Sequence, residues 1–200
     1  MKTPRLFAVA SALAMFGLAV VTHAEPAKAG DPAPAFSLAD PDGKIHTLAG
    51  FKGKVVVLEW NNFDCPFVAR NYKNGNLPGL QKKYTGTGTI WLAVNSAAPG
   101  KQGGGTPATL KERVAKEGFA GTAYLLDPEG KAGRAYGAPV TPTMVVIDKD
   151  GVVRYWGALD DKPQGGEGAV NHVAAALDAL AADKDVPVKT TKPYGCGVKY

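Results

Sequence analysis

The chain has few of the residues that build metal centres and disulfide scaffolds. It contains two cysteines and three histidines among 200 residues. Two cysteines are too few for a disulfide-rich mini-scaffold, a four-cysteine zinc site or an iron–sulfur cluster held by four cysteines. Three histidines leave little for a histidine-based metal site, so we predict no metal and no cofactor. What remains open is the role of Cys65 and Cys196.

Basic charge is too scattered for a nucleic-acid surface. Lys and Arg number 23 against 18 Asp and Glu, and no Lys/Arg run reaches the density of a nucleic-acid-binding stripe. We therefore expect no nucleic-acid partner. The 25 glycines and 15 prolines indicate many turns, but fewer than a disordered chain has. The length fits one globular domain.

Acidic residues are absent from the first 24 positions, whose composition is that of an export signal. Lys2 and Arg5 precede a largely apolar stretch at 6–21, and a Thr-His-Ala segment at 22–24 has the small residues that signal peptidase prefers. We predict cleavage after Ala24 and an exported, periplasmic protein, in a compartment where disulfides persist. The alternative is an uncleaved anchor helix, although the apolar run is shorter than the roughly 20 residues of a membrane span.

Short β-branched runs that alternate with amphipathic segments predict an α/β domain over residues 25–182. An Asp-Gly turn at 42–43 predicts an N-terminal hairpin, and the final two strands must pair antiparallel. The result is a mixed sheet with helices on both faces. The later predicted strands cover 55–60, 89–94, 123–126, 143–148 and 152–156, and the helices cover 66–72, 77–84, 107–117, 130–136 and 170–182. Residues 183–200 show no period and are expected to form a loose tail carrying Cys196.

Cys65 lies where a predicted strand ends and a helix begins. Asp64 is a candidate N-cap, and Pro66 suits the first helical turn. Free N–H groups and a positive partial charge at a helix N-terminus lower a cysteine pKa from about 8.5 to roughly 3.5–7.5. Arg70 is a candidate for additional positive charge, whereas Asp64 opposes ionisation if its carboxylate points at the sulfur. The alternative is a buried, inert cysteine.

Four motifs surround Cys65 and a later Thr-Pro pair. They are Asp-Pro-Ala-Pro-Ala-Phe-Ser-Leu at 31–38, Gly-Lys-Val-Val-Val-Leu-Glu-Trp at 53–60, Cys-Pro at 65–66 and Val-Thr-Pro-Thr at 140–143. Together they resemble the thioredoxin superfamily, specifically the redoxin branch that includes peroxiredoxins of the alkyl hydroperoxide reductase and thiol-specific antioxidant type. The resemblance covers about residues 30–156 and implies a thioredoxin-like fold. It also implies that Pro142 is cis and that Pro66, Thr141 and Pro142 line a substrate groove.

The motif around Cys65 departs from the family pattern. Thioredoxin-like enzymes carry Cys-x-x-Cys, whereas residues 62–65 read Asn-Phe-Asp-Cys and keep only the second cysteine. Peroxiredoxins are more similar, because they carry Thr/Ser-x-x-Cys with one peroxidatic cysteine. Asn62 then stands at the Thr/Ser position, and its amide is a candidate donor to a thiolate or a peroxide oxygen. The activating arginine of the family has no firm match, and Arg70 and Arg134 are candidates.

The C-terminal residues 191–200 read Thr-Lys-Pro-Tyr-Gly-Cys-Gly-Val-Lys-Tyr. This segment resembles the tail of one peroxiredoxin-like subgroup, which also shows the patterns at 58–60, 65–68 and 157–161. Glycines on both sides of Cys196 leave its backbone free to adapt. We hypothesise that Cys196 pairs with Cys65, at least transiently.

The resemblance implies an exported thiol oxidoreductase, either a peroxidase or a thiol-disulfide oxidoreductase. Cys65 attacks a peroxide oxygen or a protein disulfide, Cys196 resolves the product, and a thioredoxin-like protein or a small thiol donates electrons. The alternative is a non-catalytic binding or structural module with a fixed Cys65–Cys196 disulfide. Glu59 either relays protons to the sulfur or points outward from an alternating strand, and the sequence favours neither. It indicates no oligomeric state.

Overall fold

The computed structural model describes residues 25–166 and 168–200, so the predicted export signal at 1–24 lies outside the described residues. Every strand and helix that the sequence predicts is present within about two residues of its predicted ends. The helices are α1 (Pro66–Lys73), α2 (Asn76–Thr85), α3 (Pro107–Lys116), α4 (Lys131–Ala135) and α5 (His172–Ala181). The strands are β1 (Ser37–Ala39), β2 (Ile45–Thr47), β3 (Val56–Trp60), β4 (Ile90–Asn95), β5 (Ala123–Leu126), β6 (Val140–Thr141), β7 (Thr143–Ile147), β8 (Val153–Gly157) and β9 (Cys196–Gly197).

Seven strands form one mixed sheet in the order β2-β1-β5-β4-β3-β7-β8. The strands β3, β4 and β5 are parallel, whereas β7 pairs antiparallel with both β3 and β8. The N-terminal hairpin β1–β2 adds to the far edge through β5. This arrangement confirms the predicted mixed sheet and the predicted hairpin.

The central strand β3 is buried on both faces of the sheet. Val57 packs into a core with α1, α2 and α5, whereas Leu58 and Trp60 pack on the opposite face with α4. Helices therefore cover both faces, as predicted. Among the described residues, no helix has the length and apolar character needed to cross a membrane.

Local sequence signals set the ends of the helices that frame the site. Gly75 adopts φ +76° and separates α1 from α2, a left-handed conformation that glycine adopts without strain. The side chains of Thr106 and Asn171 accept hydrogen bonds from N–H groups in the first turns of α3 and α5. Both are N-caps of the usual polar type.

The C-terminal residues differ from the loose tail that the sequence predicts. We call residues 186–200 the C-terminal strap. Its first half runs beside β8, where the Lys189 carbonyl accepts from the Trp156 N–H at 3.0 Å. The Thr191 hydroxyl accepts from the Ala158 N–H at 2.9 Å, and the Tyr194 hydroxyl donates to Asp160 at 2.5 Å.

The second half of the strap is attached just as firmly. It contains β9, which pairs antiparallel with β6 in a small separate sheet. The Lys199 carbonyl accepts from the Ala98 N–H at 2.8 Å, and the Tyr200 hydroxyl donates to the Ala138 carbonyl at 2.8 Å. All these partners are remote in sequence, which explains why no local period announces the strap.

Candidate active site

The buried strand β3 and the helix α1 position Cys65. Cys65 is the N-cap of α1 with extended backbone angles, φ −80° and ψ 122°, and Pro66 is the first helical residue. The prediction that Asp64 caps the helix is wrong, because Asp64 lies one residue too early. Its carboxylate instead accepts from the Gly103 N–H at 3.1 Å and pairs with Arg113 at 3.2 Å. The Asp64 charge is therefore engaged away from the sulfur.

A cis peptide bond joins Thr141 to Pro142, as the resemblance implied. The loop containing this bond lies against Cys65, whose Sγ is 3.1 Å from the Thr141 carbonyl oxygen. Thr141 and Pro142 are buried, whereas Pro66 is exposed. The Cys65 side chain has no exposed surface. The three predicted groove residues thus surround one sulfur, but the strap covers two of them.

The strap brings Cys196 to the same place. In the β6–β9 pair, Cys196 lies directly opposite Thr141, and the two cysteine side chains form a hydrogen bond. Both cysteines are thiols, Cys65 buried and Cys196 partly exposed. A sequence separation of more than a hundred residues is closed by two residues of strand pairing.

The two thiols differ in acidity because they share a hydrogen bond. Burial disfavours the charged form of Cys65, but hydrogen bonds from Cys196, Thr141 and the Val68 N–H outweigh it, so the Cys65 pKa lies below its ordinary value. Burial, together with the hydrogen bond and the charge of Cys65, raises the pKa of Cys196 to about 11. Cys65 is therefore the thiolate and Cys196 is the proton donor to it.

The contact with the Val68 N–H changes how the motif is read. The sequence analysis placed the missing second thiol at Asn62, three residues before Cys65. The residue next to the sulfur in the first turn of α1 is instead Val68, three residues after it, with a buried side chain. The position of a second cysteine in a forward Cys-x-x-Cys reading is thus apolar. Cys196 brings a thiol to the sulfur from the strap.

The structure corrects the role expected for Asn62. Its Nδ2 donates to the Gln102 carbonyl at 3.2 Å, and its Oδ1 accepts from the Asp64 N–H at 2.8 Å. A Cβ added at Gly103 would lie 2.3 Å from the Asn62 Oδ1, so the glycine-rich loop lies directly on this side chain. The Asn62 amide is oriented to that loop and forms no hydrogen bond to the sulfur.

The two candidate arginines also point elsewhere. Arg70 donates to the Pro163 carbonyl at 2.6 Å, and its guanidinium carbon lies 5.7 Å from the centre of the Phe67 ring. Arg134 donates to the Glu129 carbonyl at 2.6 Å and lies over the Tyr200 ring at 4.6 Å. The expectation that Arg70 stabilises the Cys65 thiolate is therefore wrong, since its charge is held by a loop on the far side of α1.

Glu59 is the buried one of the two alternatives that the sequence left open. It is fully buried, and its carboxylate accepts from Asn61 at 2.8 Å, Tyr72 at 3.0 Å, Gln81 at 2.9 Å and Trp91 at 2.8 Å. Burial raises the pKa of Glu59, although these donors oppose the rise. Within residues 25–166 and 168–200, none of these bonds reaches Cys65, so Glu59 joins β3 and β4 to α1 and α2.

The described part of the chain contains no cluster of three or more His, Cys, Asp or Glu side chains suited to a metal ion. The chemistry of the site is that of its two sulfurs. Thiolates at helix N-termini are nucleophiles, and a second thiol in contact allows disulfide formation.

A mixed sheet of this order, with a helix-capping cysteine facing a cis proline, defines the class of thioredoxin-like α/β proteins. Within that class the chain belongs to the Redoxin family, which matches residues 28–177. The chain is 32% identical over 127 residues to the thiol-disulfide oxidoreductase ResA of Geobacillus thermodenitrificans. That match spans 62% of this chain and 66% of the length of ResA.

Two solved structures of unassigned function share the fold. One is a hypothetical protein from Sinorhizobium meliloti 1021, with a TM-score of 0.77 and 29% identity over 87% of this chain and 95% of that one. The other is an uncharacterized conserved protein from Geobacillus kaustophilus, with a TM-score of 0.78 and 29% identity over 89% and 94% of the two chains. The likeness therefore extends over most of the described residues.

Proposed function

We propose that this protein is a thiol-dependent oxidoreductase in which Cys65 is the nucleophile and Cys196 the resolving cysteine. One observation carries the proposal. The sulfur of Cys65 caps α1, lies 3.1 Å from the carbonyl before the cis proline, and forms a hydrogen bond with the only other cysteine of the chain. A nucleophilic and a resolving thiol need this proximity.

The reaction begins when the Cys65 thiolate attacks an O–O or S–S bond. Attack on a hydroperoxide forms Cys65 sulfenic acid and releases an alcohol or water, and attack on a disulfide forms a mixed disulfide and releases a thiolate. Cys196 then attacks Cys65 sulfur. The products are a Cys65–Cys196 disulfide and either water or a second thiol. Two external thiols reduce this disulfide and become a disulfide themselves.

The shared hydrogen bond also times the second step. In the reduced protein the negative charge of Cys65 is one cause of the high pKa of Cys196. Once Cys65 has reacted, that charge is gone, and the pKa of Cys196 falls. Cys196 thus becomes a nucleophile only after there is something to resolve.

Similarity to ResA, which is described as a thiol-disulfide oxidoreductase, supports the disulfide branch. The single nucleophilic cysteine in the helix motif supports the peroxidase branch, because it follows the peroxiredoxin-like pattern. The two branches share the first step and differ in the bond attacked. Electron donors of either size, a thioredoxin-like protein or a small thiol, fit the last step.

The proposal includes export, because the composition of residues 1–24 is that of a signal peptide. Expression with these residues in a Gram-negative host is expected to yield periplasmic protein that begins at Glu25. N-terminal sequencing of the periplasmic fraction tests this. Protein that keeps residues 1–24 in the membrane fraction would support the anchor alternative.

The reaction itself is tested on the reduced, purified chain. Hydrogen peroxide or hydroxyethyl disulfide is expected to consume two thiols per chain faster than free cysteine reacts, with a Cys65–Cys196 disulfide found by peptide mapping. Cys65→Ser removes the fast phase, and Cys196→Ser stops at a sulfenic acid or a mixed disulfide. Thiol loss no faster than that of free cysteine would exclude an enzyme. A disulfide present on isolation that resists dithiothreitol would instead support the structural module.

A further inference from the structure

The edge of β6 is where an extended polypeptide would dock beside Cys65. A peptide binds an exposed strand edge by adding a strand to it through main-chain hydrogen bonds. In this protein that edge is already taken, because Val140 pairs with Gly197 and Thr141 with Cys196. The strap thus occupies the site at which a protein disulfide would have to lie.

Gly195 makes this occupation possible. It adopts φ +140°, and a Cβ added to it would lie 1.9 Å from the Thr141 carbonyl oxygen. The same oxygen is 3.1 Å from the Cys65 sulfur on its other side. The strap backbone is therefore in direct contact with the group that lines the nucleophile, and only a residue without a side chain permits that contact.

Aromatic anchors hold the strap on both sides of Gly195. Before it, the Tyr194 ring lies 5.8 Å from the Phe67 ring of α1, and the Tyr194 hydroxyl donates to Asp160 at 2.5 Å. After it, the Tyr200 ring packs so closely on Gly130 that a Cβ there would lie 2.4 Å from a Tyr200 ring carbon. Lifting the strap from β6 requires the loss of contacts at both anchors.

From these contacts we propose that the strap, held closed through Gly195, restricts the Cys65 site to small electrophiles and excludes polypeptide disulfides. The proposal rests on the proposed function and names its substrate class. A hydroperoxide or a low-molecular-weight disulfide needs only side-chain movement to reach the buried sulfur. A protein disulfide needs the β6 edge itself, and hence removal of β9.

The redox step is the one already balanced above. With hydrogen peroxide, the O–O bond breaks, Cys65 is oxidised to sulfenic acid and one water leaves. The Cys196 thiol then displaces a second water and forms the disulfide. With hydroxyethyl disulfide, Cys65 and Cys196 are oxidised to their disulfide while the reagent is reduced to two molecules of mercaptoethanol.

The test compares Gly195→Ala with Gly197→Ala. Both changes add one methyl group beside Cys196, but the methyl at 195 meets the Thr141 carbonyl and the methyl at 197 meets open space. Each reduced protein is mixed with hydrogen peroxide, hydroxyethyl disulfide or insulin, and the Cys65–Cys196 disulfide is quantified after acid quench and alkylation. Far-UV circular dichroism and thermal unfolding check the fold.

The wild type and Gly197→Ala are expected to react with both small reagents but not measurably with insulin. Gly195→Ala is expected to gain about tenfold or more in its rate with insulin, the factor that corresponds to one or two lost strand hydrogen bonds. Its rate with hydrogen peroxide is expected to change by less than about threefold. If Gly195→Ala does not fold, Tyr200→Ala opens the strap from its other end with the same expected gain.

Two results would overturn the proposal in different ways. Oxidation of the wild type by insulin as fast as by hydroxyethyl disulfide would show that the strap excludes nothing, while the thiol chemistry would stand. Equal insulin rates for the two glycine variants and Tyr200→Ala would show the same. Inertness of Cys65 toward all three reagents in every variant would overturn the thiol chemistry, and the proposal with it.

Discussion

At the scale of the residue, the site consists of two identical side chains made unequal by their surroundings. Cys65 receives hydrogen bonds from a helix N–H and two side chains, whereas Cys196 faces the charge that results. The lower pKa belongs to the buried thiol and the higher pKa to the more exposed one. Burial alone would give the reverse order, so the hydrogen bonds decide which sulfur attacks.

Removing the hydrogen bond from Cys196 tests this division. Cys196→Ala is expected to raise the Cys65 pKa, because burial then acts against fewer donors. Cys196→Ser keeps a hydroxyl donor, so its Cys65 pKa is expected to lie below that of the Ala variant. The thiolate absorbance at 240 nm, followed against pH, measures both. Identical titrations of the two variants would show that Cys196 does not stabilise the thiolate.

The sequence predicts the backbone positions of the site better than its side-chain directions. Cys65 and the cis Pro142 are placed correctly, because a strand end, a Cys-Pro pair and a Thr-Pro pair are local signals. Asn62 and Arg70 are misassigned. Their directions are set by remote loop carbonyls, those of Gln102 and Pro163, and no local pattern encodes such contacts.

At the scale of the element, Glu59 shows why alternation along a strand fails in β3. Every residue of β3 is buried, because helices cover both faces of the sheet. The outward direction considered for Glu59 from alternation does not exist there. A carboxylate in this position needs donors from neighbouring elements, and Tyr72 of α1, Gln81 of α2 and Trp91 of β4 provide them.

The raised pKa of Glu59 predicts a specific pH dependence of stability. Between its unfolded and folded pKa values, the folded state binds the proton more tightly, so the free energy of unfolding falls as pH rises. Glu59→Gln removes this titration but leaves at least one donor facing the amide NH₂. We expect the variant to be less stable by about 2–4 kcal/mol at low pH, where the native carboxyl is protonated.

Urea unfolding of the wild type and Glu59→Gln from pH 4 to pH 8 measures this difference. The stability advantage of the wild type is expected to shrink as pH rises. A difference that grows with pH would show that the four donors outweigh burial and that the Glu59 pKa is lowered. A Glu112→Gln variant, changed at an exposed acidic residue of α3, controls for the general effect of removing a carboxylate.

The β9 strand is the element that the sequence could not reveal. It is two residues long, its partner β6 lies more than fifty residues earlier, and its flanking glycines read as a flexible segment. The same glycines are needed for the opposite reason. Gly195 allows close approach to Thr141, and Gly157 allows Thr191 to lie where a Cβ would be 2.3 Å from its hydroxyl. Glycine in a tail thus marks tight packing here.

At the scale of the whole molecule, the strap connects the end of the chain to its centre. The Cys65–Cys196 pair would close a loop that includes most of the domain, from the start of α1 to β9. Because Cys196 is already paired to β6 when both cysteines are thiols, the folded state needs little rearrangement to form the bond. The consequence of oxidation should therefore lie mainly in the unfolded state.

Oxidation of the pair is expected to raise the free energy of unfolding by about 4–5 kcal/mol, the entropy that a loop of this length loses in the unfolded chain. Guanidinium unfolding of the oxidised and the dithiothreitol-reduced protein measures it, and Cys196→Ser, which cannot form the bond, should show no redox dependence. A gain of this size would mean that the strap holds Cys196 in a position compatible with the disulfide. A smaller gain, or a loss, would mean that bond formation pulls the strap away from β6 and spends part of the entropic advantage on lost contacts. The oxidised protein would then have an open strand edge, and its electron donor, unlike its oxidant, could be a protein.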